Sequence, residues 1–225
     1  MPDRVLTMIS SMRGGGSEQQ TLLLLRHLDR SRFTPHLYVL QRSGDLMSKV
    51  PDDVTVHSYE DAANPGGLYF PGRQLRQQIR HLQNLLQQEA IDVIYDRTFH
   101  MSMIAGPAGH AVAVPRVSTI VSPPAHALPQ VESRFVGLKR RHLTKAYHQS
   151  RSVIAVSQQA AWSAMEYYGL PQDRVHVILN PVDVDQVRRD AHEQEDIPRD
   201  DRLTLVCVGR MTEEKGHRDL VNAVI

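Results

Sequence analysis

The sequence has one cysteine, few aromatic residues, almost no net charge and no long apolar run. The single cysteine, Cys207, excludes an internal disulfide framework and suits a reducing cytoplasm. Because it lies inside an apolar run at residues 203–208, we expect a buried structural thiol. No run of about 18 apolar residues is present, as a membrane span would need. Residues 1–9 also lack the apolar stretch of a signal peptide. We therefore predict a soluble, cytoplasmic protein.

The charge balance and the low aromatic content argue against nucleic-acid binding. The 225 residues include 26 basic and 25 acidic side chains, a formal net charge of +1, and 5% aromatic residues. Such a chain has no global field that recruits a polyanion and few rings on which bases could stack. None of its 12 histidines lies in an H-x-H, H-E-x-x-H or Cys/His pattern, so motif spacing predicts no metal site.

Strand-like and helix-like patterns alternate along the whole chain. Strands are predicted at residues 5–10, 36–40, 54–57, 91–95, 116–121, 153–157, 175–179 and 203–208. Helices are predicted at residues 17–29, 73–88, 101–112, 133–148, 158–168 and about 216–224, with a proline-rich loop at 122–129. Apolar strands that alternate with helices are typical of a parallel sheet covered on both faces. The sequence therefore predicts an α/β fold with a doubly wound, Rossmann-like parallel sheet.

A change in composition indicates where the first domain ends. Residues 183–201 are rich in Asp, Glu and Arg and carry one proline, Pro198. We predict a Rossmann-like domain at residues 1–180 and a linker or hinge at 181–202. Residues 203–225 are then the first strand and helix of a second Rossmann-like domain.

A glycine turn, Gly14-Gly15-Gly16-Ser17-Glu18, joins the first predicted strand to the first predicted helix. At the carboxyl end of a first strand, such a turn lets backbone amides approach a phosphate closely, although an ordinary strand-to-helix turn is the alternative. The turn is neither G-x-G-x-x-G nor a P-loop. The second predicted strand is followed by Gln41-Arg42 rather than by an acidic residue, which argues against a nicotinamide-dependent oxidoreductase.

A second candidate phosphate site lies near the end of the sequence. The segment Gly209-Arg210-Met211-Thr212-Glu213-Glu214-Lys215-Gly216 follows the last predicted strand and opens the last predicted helix. Two cations beside the positively polarised start of a helix favour a bound diphosphate. Arg210 and Lys215 are therefore the predicted phosphate-binding cations.

In order and spacing, these motifs resemble those of the family 4 glycosyltransferases of GT-B fold. The stretches that carry the resemblance are Gly15-Gly16-Ser17-Glu18, Val153-Ile154-Ala155-Val156-Ser157, Ile178-Leu179-Asn180-Pro181-Val182-Asp183, and Val208-Gly209-Arg210 with Glu214-Lys215-Gly216. The resemblance implies two domains facing across a cleft, with the acceptor mostly on the first and the nucleotide-sugar donor mostly on the second. It implies transfer of a sugar to a glycan or a lipid-linked acceptor with retention of anomeric configuration. It implies no metal and no cofactor, because the nucleotide-sugar is a co-substrate.

The resemblance also implies roles for individual residues. Arg210 and Lys215 would stabilise the charge that develops on the leaving nucleoside diphosphate, as fixed cations that need no metal. Gly15 and Gly16 would let the first turn lie against the phosphates or the transferring sugar. Asn180 would lie near the hinge and the cleft.

The histidine that many family members carry after the strand at residues 116–121 is not found here. That place reads Ile120-Val121-Ser122-Pro123-Pro124, and the nearest histidine is His126. His100, after the strand at 91–95, and His126 are the candidates for this catalytic position. Exposed loop histidines are the alternative for both.

The resemblance further predicts that these 225 residues are incomplete. The acidic pair with which the family holds the donor sugar and ribose would lie past Ile225. We therefore predict a hexosyltransferase-type enzyme of which this chain is the first part, with little activity alone. The alternative is a non-catalytic acceptor-binding module or subunit that needs a partner chain.

The predicted helix at residues 133–148 is strongly basic. Its cations are Arg134, Lys139, Arg140, Arg141 and Lys145, interleaved with apolar residues. An ordinary solvated helix face is one interpretation. The other is peripheral contact with anionic lipid at the inner face of the membrane, as basic amphipathic helices can make.

Overall fold

The computed structural model describes residues 1–62, 72–131, 134–193, 204–209 and 211–224. The chain divides into two compact units, Met1–Val182 and Asp183–Ile225. This division falls inside the segment predicted as the linker, while the predicted domain boundaries themselves stay predictions. Among the described residues, no helix combines the length and the apolar character that crossing a bilayer requires.

The first unit contains a parallel sheet of seven strands. They are β1 (Asp3–Ile9), β2 (Phe33–Val39), β3 (Thr55–Ser58), β4 (Val93–Arg97), β5 (Arg116–Ile120), β6 (Ser152–Ala155) and β7 (Val175–Val177). Their order in the sheet is β3-β2-β1-β4-β5-β6-β7, and every neighbouring pair is parallel. The order reverses between β1 and β4, so the predicted doubly wound fold is confirmed.

In the described part of the same unit there are six α-helices. They are α1 (Gly16–His27), α2 (Arg73–Gln88), α3 (Phe99–Ala111), α4 (Pro124–Val131), α5 (Val136–His148) and α6 (Gln158–Tyr168). The second unit has α7 (Val184–Glu193) and α8 (His217–Val224).

Alternation along the strands distributes side chains to the two faces of the sheet. In β1, Leu6 and Met8 pack with residues of α2 and α3, whereas Ile9 packs with α1. In β2, Tyr38 lies on the first of these faces, and Leu37 and Val39 lie on the second. Because helices cover both faces, strands β1 and β2 bury apolar side chains on both sides, which is the pattern that allowed them to be predicted.

Two helices occur where the sequence analysis predicted none. Residues 122–129 were expected to form a loop, but α4 begins at Pro124, where a proline lacks only an N–H that the first turn leaves without a partner anyway. The polar residues 183–193 were assigned to a linker. There Asp183 Oδ1 accepts a hydrogen bond from the Gln186 backbone N–H at 2.9 Å, and this N-terminal cap starts α7.

The prediction of a buried strand at residues 203–208 is wrong for the described residues 204–208, which form no strand and are exposed. Val206 is 81% exposed and Val208 is 92% exposed. A strand needs a neighbour with which to share its backbone hydrogen bonds, and the described part of this unit offers none. Cys207 is accordingly exposed rather than buried, and its Sγ lies 3.2 Å from His217 Nδ1.

Candidate active site

The first unit gathers its candidate site residues at the carboxyl edge of the sheet. The strand order reverses between β1 and β4, and this is where open α/β sheets form a ligand-binding crevice. The glycine turn follows β1, Arg97 ends β4, and His100 lies in the first turn of α3. These positions come from strands that are direct neighbours in the sheet.

The glycine turn contains one glycine that its backbone conformation favours and another that the packing does not explain. Gly14 has φ +102°, a left-handed conformation that favours glycine, and Gly15 is the N-cap of α1. A Cβ on Gly15 would come within 2.5 Å of the Glu18 carboxylate. A Cβ on Gly16, in contrast, would meet no atom of the described residues within 4 Å. Packing inside the unit therefore gives no reason for glycine at position 16.

Arg97 is the functional candidate that the sequence analysis missed. It is 5% exposed, donates from Nη1 to the Tyr95 hydroxyl at 3.1 Å, and donates from Nη2 to Asn180 Oδ1 at 3.3 Å. Its Nε has no hydrogen-bond partner among the described residues. Within that same part of the chain no carboxylate pairs with it, so the edge of the sheet holds a buried, uncompensated positive charge. The signal was available, because an arginine ending a buried strand is costly without a ligand or partner.

Thr98, directly after Arg97, has a strained backbone. Its φ of 74° and ψ of 152° lie in a region that glycine almost alone occupies. Its Oγ1 is buried and has no hydrogen-bond partner among the described residues. Strain of this kind persists where the surrounding structure requires it, and it is concentrated at binding and active sites.

Asn180 brings a third chain segment to the same edge. Its side chain accepts from Arg97, and the next residue, Pro181, accepts at its carbonyl from Gln20 Nε2 of α1 at 3.0 Å. The segment after β7 thus spans from the end of β4 to the helix that the glycine turn begins. Of the predicted site residues, Gly15, Gly16 and Asn180 therefore lie at one edge of one unit.

A buried network of polar side chains lies next to this edge of the sheet. Asp96 is fully buried; its Oδ1 accepts from Arg116 Nη1 at 3.1 Å and from the Ser118 hydroxyl at 2.9 Å. The Ser102 hydroxyl donates to its other carboxylate oxygen. Arg116 Nη2 also donates to the Ala146 carbonyl. The network ties β4, β5, α3 and α5 together next to Arg97.

The two candidate histidines differ in exposure. His100 is half-buried in the first turn of α3, after β4. His126 is exposed in the first turn of α4, after β5. Since β4 and β5 are neighbours, both histidines lie at the carboxyl edge, and the catalytic assignment stays a prediction for each.

The second candidate phosphate site belongs to the second unit. Arg210 lies outside the described residues. Lys215 is exposed and ends a short 3-10 turn, Glu213–Lys215, directly before Gly216 and α8. Its side chain passes close to Gly209, where an added Cβ would lie 3.4 Å from Lys215 Cγ. The helix predicted after Gly216 is confirmed as α8, so Lys215 does stand at the start of a helix.

The sequence profile named Glycosyltransferase Family 4 matches residues 14–186. The chain belongs to this family. The matched range includes the glycine turn, Arg97 and Asn180, and so covers the whole carboxyl edge just described. No curated protein matches the sequence.

Solved structures share the family 4 chain's fold at low sequence identity. HepE from Anabaena, crystallised with UDP and glucose, has a TM-score of 0.57 and 17% identity, over 83% of this chain and 50% of its own. A glycosyltransferase from Rickettsia africae has a TM-score of 0.59 and 17% identity, over 99% and 57%. A UDP-N-acetylglucosamine 2-epimerase from Rickettsia bellii has a TM-score of 0.61 and 12% identity, over 87% and 50%.

The family 4 chain thus spans about half the length of these structures. Because transferases and an epimerase match it similarly, the fold alone does not separate these activities.

Proposed function

We propose that the protein transfers a hexose from a UDP-sugar donor to a glycan or lipid-linked acceptor. The observation that carries the proposal is the family match over residues 14–186, a range that includes the glycine turn and Asn180. Support for the nucleotide comes from HepE, whose structures hold UDP and UDP-glucose.

The chemistry we propose is electrostatic. When the glycosidic bond to the diphosphate breaks, negative charge grows on the leaving phosphate oxygens, and fixed cations lower the energy of that transition state. Arg210 and Lys215 supply these cations, and the start of α8 adds its partial positive charge. Gly16 lets the donor approach the start of α1 without meeting a side chain. No step requires a metal, and we expect the configuration at the anomeric carbon to be retained.

Arg97 adds a cation from the first unit. Its guanidinium is held by Tyr95 and Asn180, and no described carboxylate neutralises it. An anionic group of either substrate would relieve the cost of burying this charge. We therefore include Arg97 among the substrate-binding residues, with His100 or His126 near the transferring sugar.

The test compares UDP affinity of the chain with that of Arg210→Ala and Lys215→Ala variants by calorimetry. Each substitution removes a hydrogen bond to a charged group, so we expect a loss of about 1–3 kcal/mol. Arg188→Ala is the matched control, because Arg188 is an exposed arginine of the same unit, 3.8 Å from Asp185, and lies outside the motif. Equal UDP affinity in all four proteins would reject the donor-site assignment.

A second candidate function is a non-catalytic acceptor-binding module that works with a partner chain. It is favoured by one observation, that the chain spans about half the length of the matching structures. The two candidates separate in a transfer assay of the 225 residues with UDP-sugars: release of UDP dependent on Lys215 supports the enzyme, and UDP-independent binding of a glycan supports the module.

We further propose that α5 and the residues before it contact anionic lipid on the cytoplasmic side of a membrane. Phe135 is 74% exposed and Leu138 is 55% exposed, next to the exposed cations Arg134, Arg141 and Lys145. Arg140 has a structural role instead, because its guanidinium lies 4.2 Å from the Tyr167 ring centroid and donates to the Tyr167 carbonyl. Exposed rings and leucines among cations are typical of interfacial helices.

A further inference from the structure

Two histidines and a glutamate form a compact cluster away from the candidate active site. His36 lies in β2 and His57 in β3, and Glu89 directly follows α2. The register pairs His57 with Tyr38, so both histidines occupy the sheet face that α2 covers. The Glu89 carbonyl accepts from Arg4 Nη1 near the beginning of β1, which places the cluster away from the carboxyl edge.

The distances within the cluster match those of a metal-ligand set. His36 Nδ1 lies 3.0 Å from His57 Nε2, and one ligand atom from each of the three residues lies within 4.8 Å of the others. A tetrahedral zinc ion with bonds of about 2.0–2.1 Å holds its ligand atoms about 3.3 Å apart. The separations in the cluster, from 3.0 Å to at most 4.8 Å, bracket that value.

We propose that His36, His57 and Glu89 bind a divalent transition-metal ion of the zinc class. Two imidazoles and one carboxylate, with a water in the fourth position, are a common zinc ligand set. Two nitrogen ligands disfavour magnesium and calcium, which select oxygen. His36 is 5% exposed and the other two residues are half-buried, so the site is enclosed but reachable from solvent.

The surroundings favour neutral imidazoles, the form that binds metal. Burial lowers the pKa of both His36 and His57, and the Glu89 carboxylate opposes that shift. Arg4 faces His36, and Arg42 and His81 face His57, so these three groups set the repulsion that a cation must overcome. Without a metal ion, the two imidazoles share a hydrogen bond between His36 Nδ1 and His57 Nε2. A metal ion must displace the proton of that hydrogen bond.

Such an ion would link strand β3, at the edge of the sheet, to β2 and to the end of α2. Among the described residues, β3 is the end strand and pairs only with β2, and Glu89 directly follows α2. An ion that binds the folded chain and not the unfolded chain raises its stability by mass action. The role is structural, and it is independent of the proposed transfer reaction.

The test titrates zinc into the full chain after metal removal with a chelator, by calorimetry and by thermal unfolding. We expect one ion per chain and a rise in the unfolding midpoint. Glu89→Gln and His57→Asn should each weaken binding by more than about tenfold and abolish the rise. His81→Asn is the matched control; the His81 Nδ1 lies 3.1 Å from the Tyr38 hydroxyl, and the variant should bind zinc at least as tightly as the parent, because it only removes a group that repels the cation.

Absence of saturable zinc binding, or binding that persists unchanged in both Glu89→Gln and His57→Asn, would overturn the proposal. Loss of binding in His81→Asn would do the same, because the ligand set would then be a different one. Circular dichroism of each metal-free variant verifies the fold, and the conservative Glu89→Gln change keeps the test decisive if His57→Asn does not fold.

Discussion

Gly16 begins α1 at an exposed position where the chain itself leaves room for a side chain. We predict that Gly16→Ala folds normally and gains stability of about 0.4–1 kcal/mol, because alanine restricts the unfolded chain. Glycosyl transfer should fall by about a hundredfold, the cost of displacing a substrate by about 1 Å. Thermal unfolding and UDP release from a UDP-sugar measure the two effects.

Gly137→Ala is the control for this change. Gly137 is also exposed, lies in the first turn of α5, and would place its Cβ within 4 Å of no described atom. It should gain similar stability and keep full activity. Equal activity of both variants would mean that Gly16 has no part in donor binding.

The Asp96–Arg116 pair makes a prediction about stability. Asp96 is 0% exposed and Arg116 is 3% exposed, so removing the carboxylate leaves a buried guanidinium without its counter-charge. We predict that Asp96→Ala lowers the free energy of unfolding by about 3–5 kcal/mol, measured by urea denaturation.

Asp53→Ala is the matched control for Asp96→Ala. Asp53 pairs with Arg30 at 2.6 Å, but its side chain is 54% exposed. Solvent screens that pair, so its loss should have a much smaller effect. A similar loss of stability in the two variants would contradict the importance assigned to burial.

At the scale of elements, we predict that stability depends on pH, because strands β2 and β3 and helix α2 carry three buried or half-buried histidines. Burial lowers the pKa of His36, His57 and His81 below the ordinary value of 6.5. The folded state therefore favours the neutral rings, and protons bind more readily to the unfolded chain. The stability this contributes is complete above the unfolded pKa and is lost as pH falls.

We accordingly predict that, in chelator-containing buffer, the free energy of unfolding decreases from about pH 8 to about pH 5. Replacing both His36 and His57 by Gln should make the decrease in the free energy of unfolding smaller. Urea denaturation at several pH values measures it. A parent and a double variant with parallel curves would show that these two rings contribute nothing.

Helix α5 predicts lipid binding of a particular kind. We expect the chain to bind vesicles with anionic lipid, less so as salt rises, because counter-ions screen the contacts of Arg141 and Lys145. The double variant Arg141→Glu, Lys145→Glu should bind less in vesicle sedimentation. The control Arg188→Glu lies on α7 and should bind like the parent. Equal binding to neutral and anionic vesicles would contradict the proposal.

Elements were predictable where local pattern and tertiary structure agree. The leucine spacing of residues 73–88 predicted α2 to the residue, because the stripe faces the sheet and Gly72, at φ +81°, precedes it. The stretch that became α4 was predicted as a loop because of its prolines, but Pro124 begins the helix, where a proline is tolerated, and Pro129 lies inside it near its end. Residues 204–208 have the apolar pattern of a strand, but they form none, because the described residues of their unit include no other strand with which to pair.

The candidate site was predictable only in its local parts. The glycine turn and the segment at Asn180 carry sequence motifs, and the fold brings them to one edge. Arg97 belongs to no sequence motif. It was missed because its importance comes from its burial without a carboxylate partner among the described residues. The His36–His57–Glu89 cluster joins residues far apart in sequence through strand register, and no spacing rule contains that information.

At the scale of the whole molecule, the chain has a doubly wound unit, Met1–Val182, and a smaller unit, Asp183–Ile225, whose sequence carries the Arg210–Lys215 motif. The family match covers the first unit almost entirely, and the second supplies the predicted diphosphate cations. Each unit therefore carries candidate donor-binding residues of its own, the glycine turn in the first and Lys215 in the second.

Above all, the proposed function requires this chain to bind the diphosphate of a nucleotide-sugar. We would therefore titrate the chain with UDP and follow its backbone amides by NMR, with uridine as the control that lacks phosphate. We predict saturable UDP shifts at Gly15, Gly16, Lys215 and Gly216, and weak or no shifts there with uridine. No saturable shift at these amides, or equal shifts with uridine, would contradict the claim.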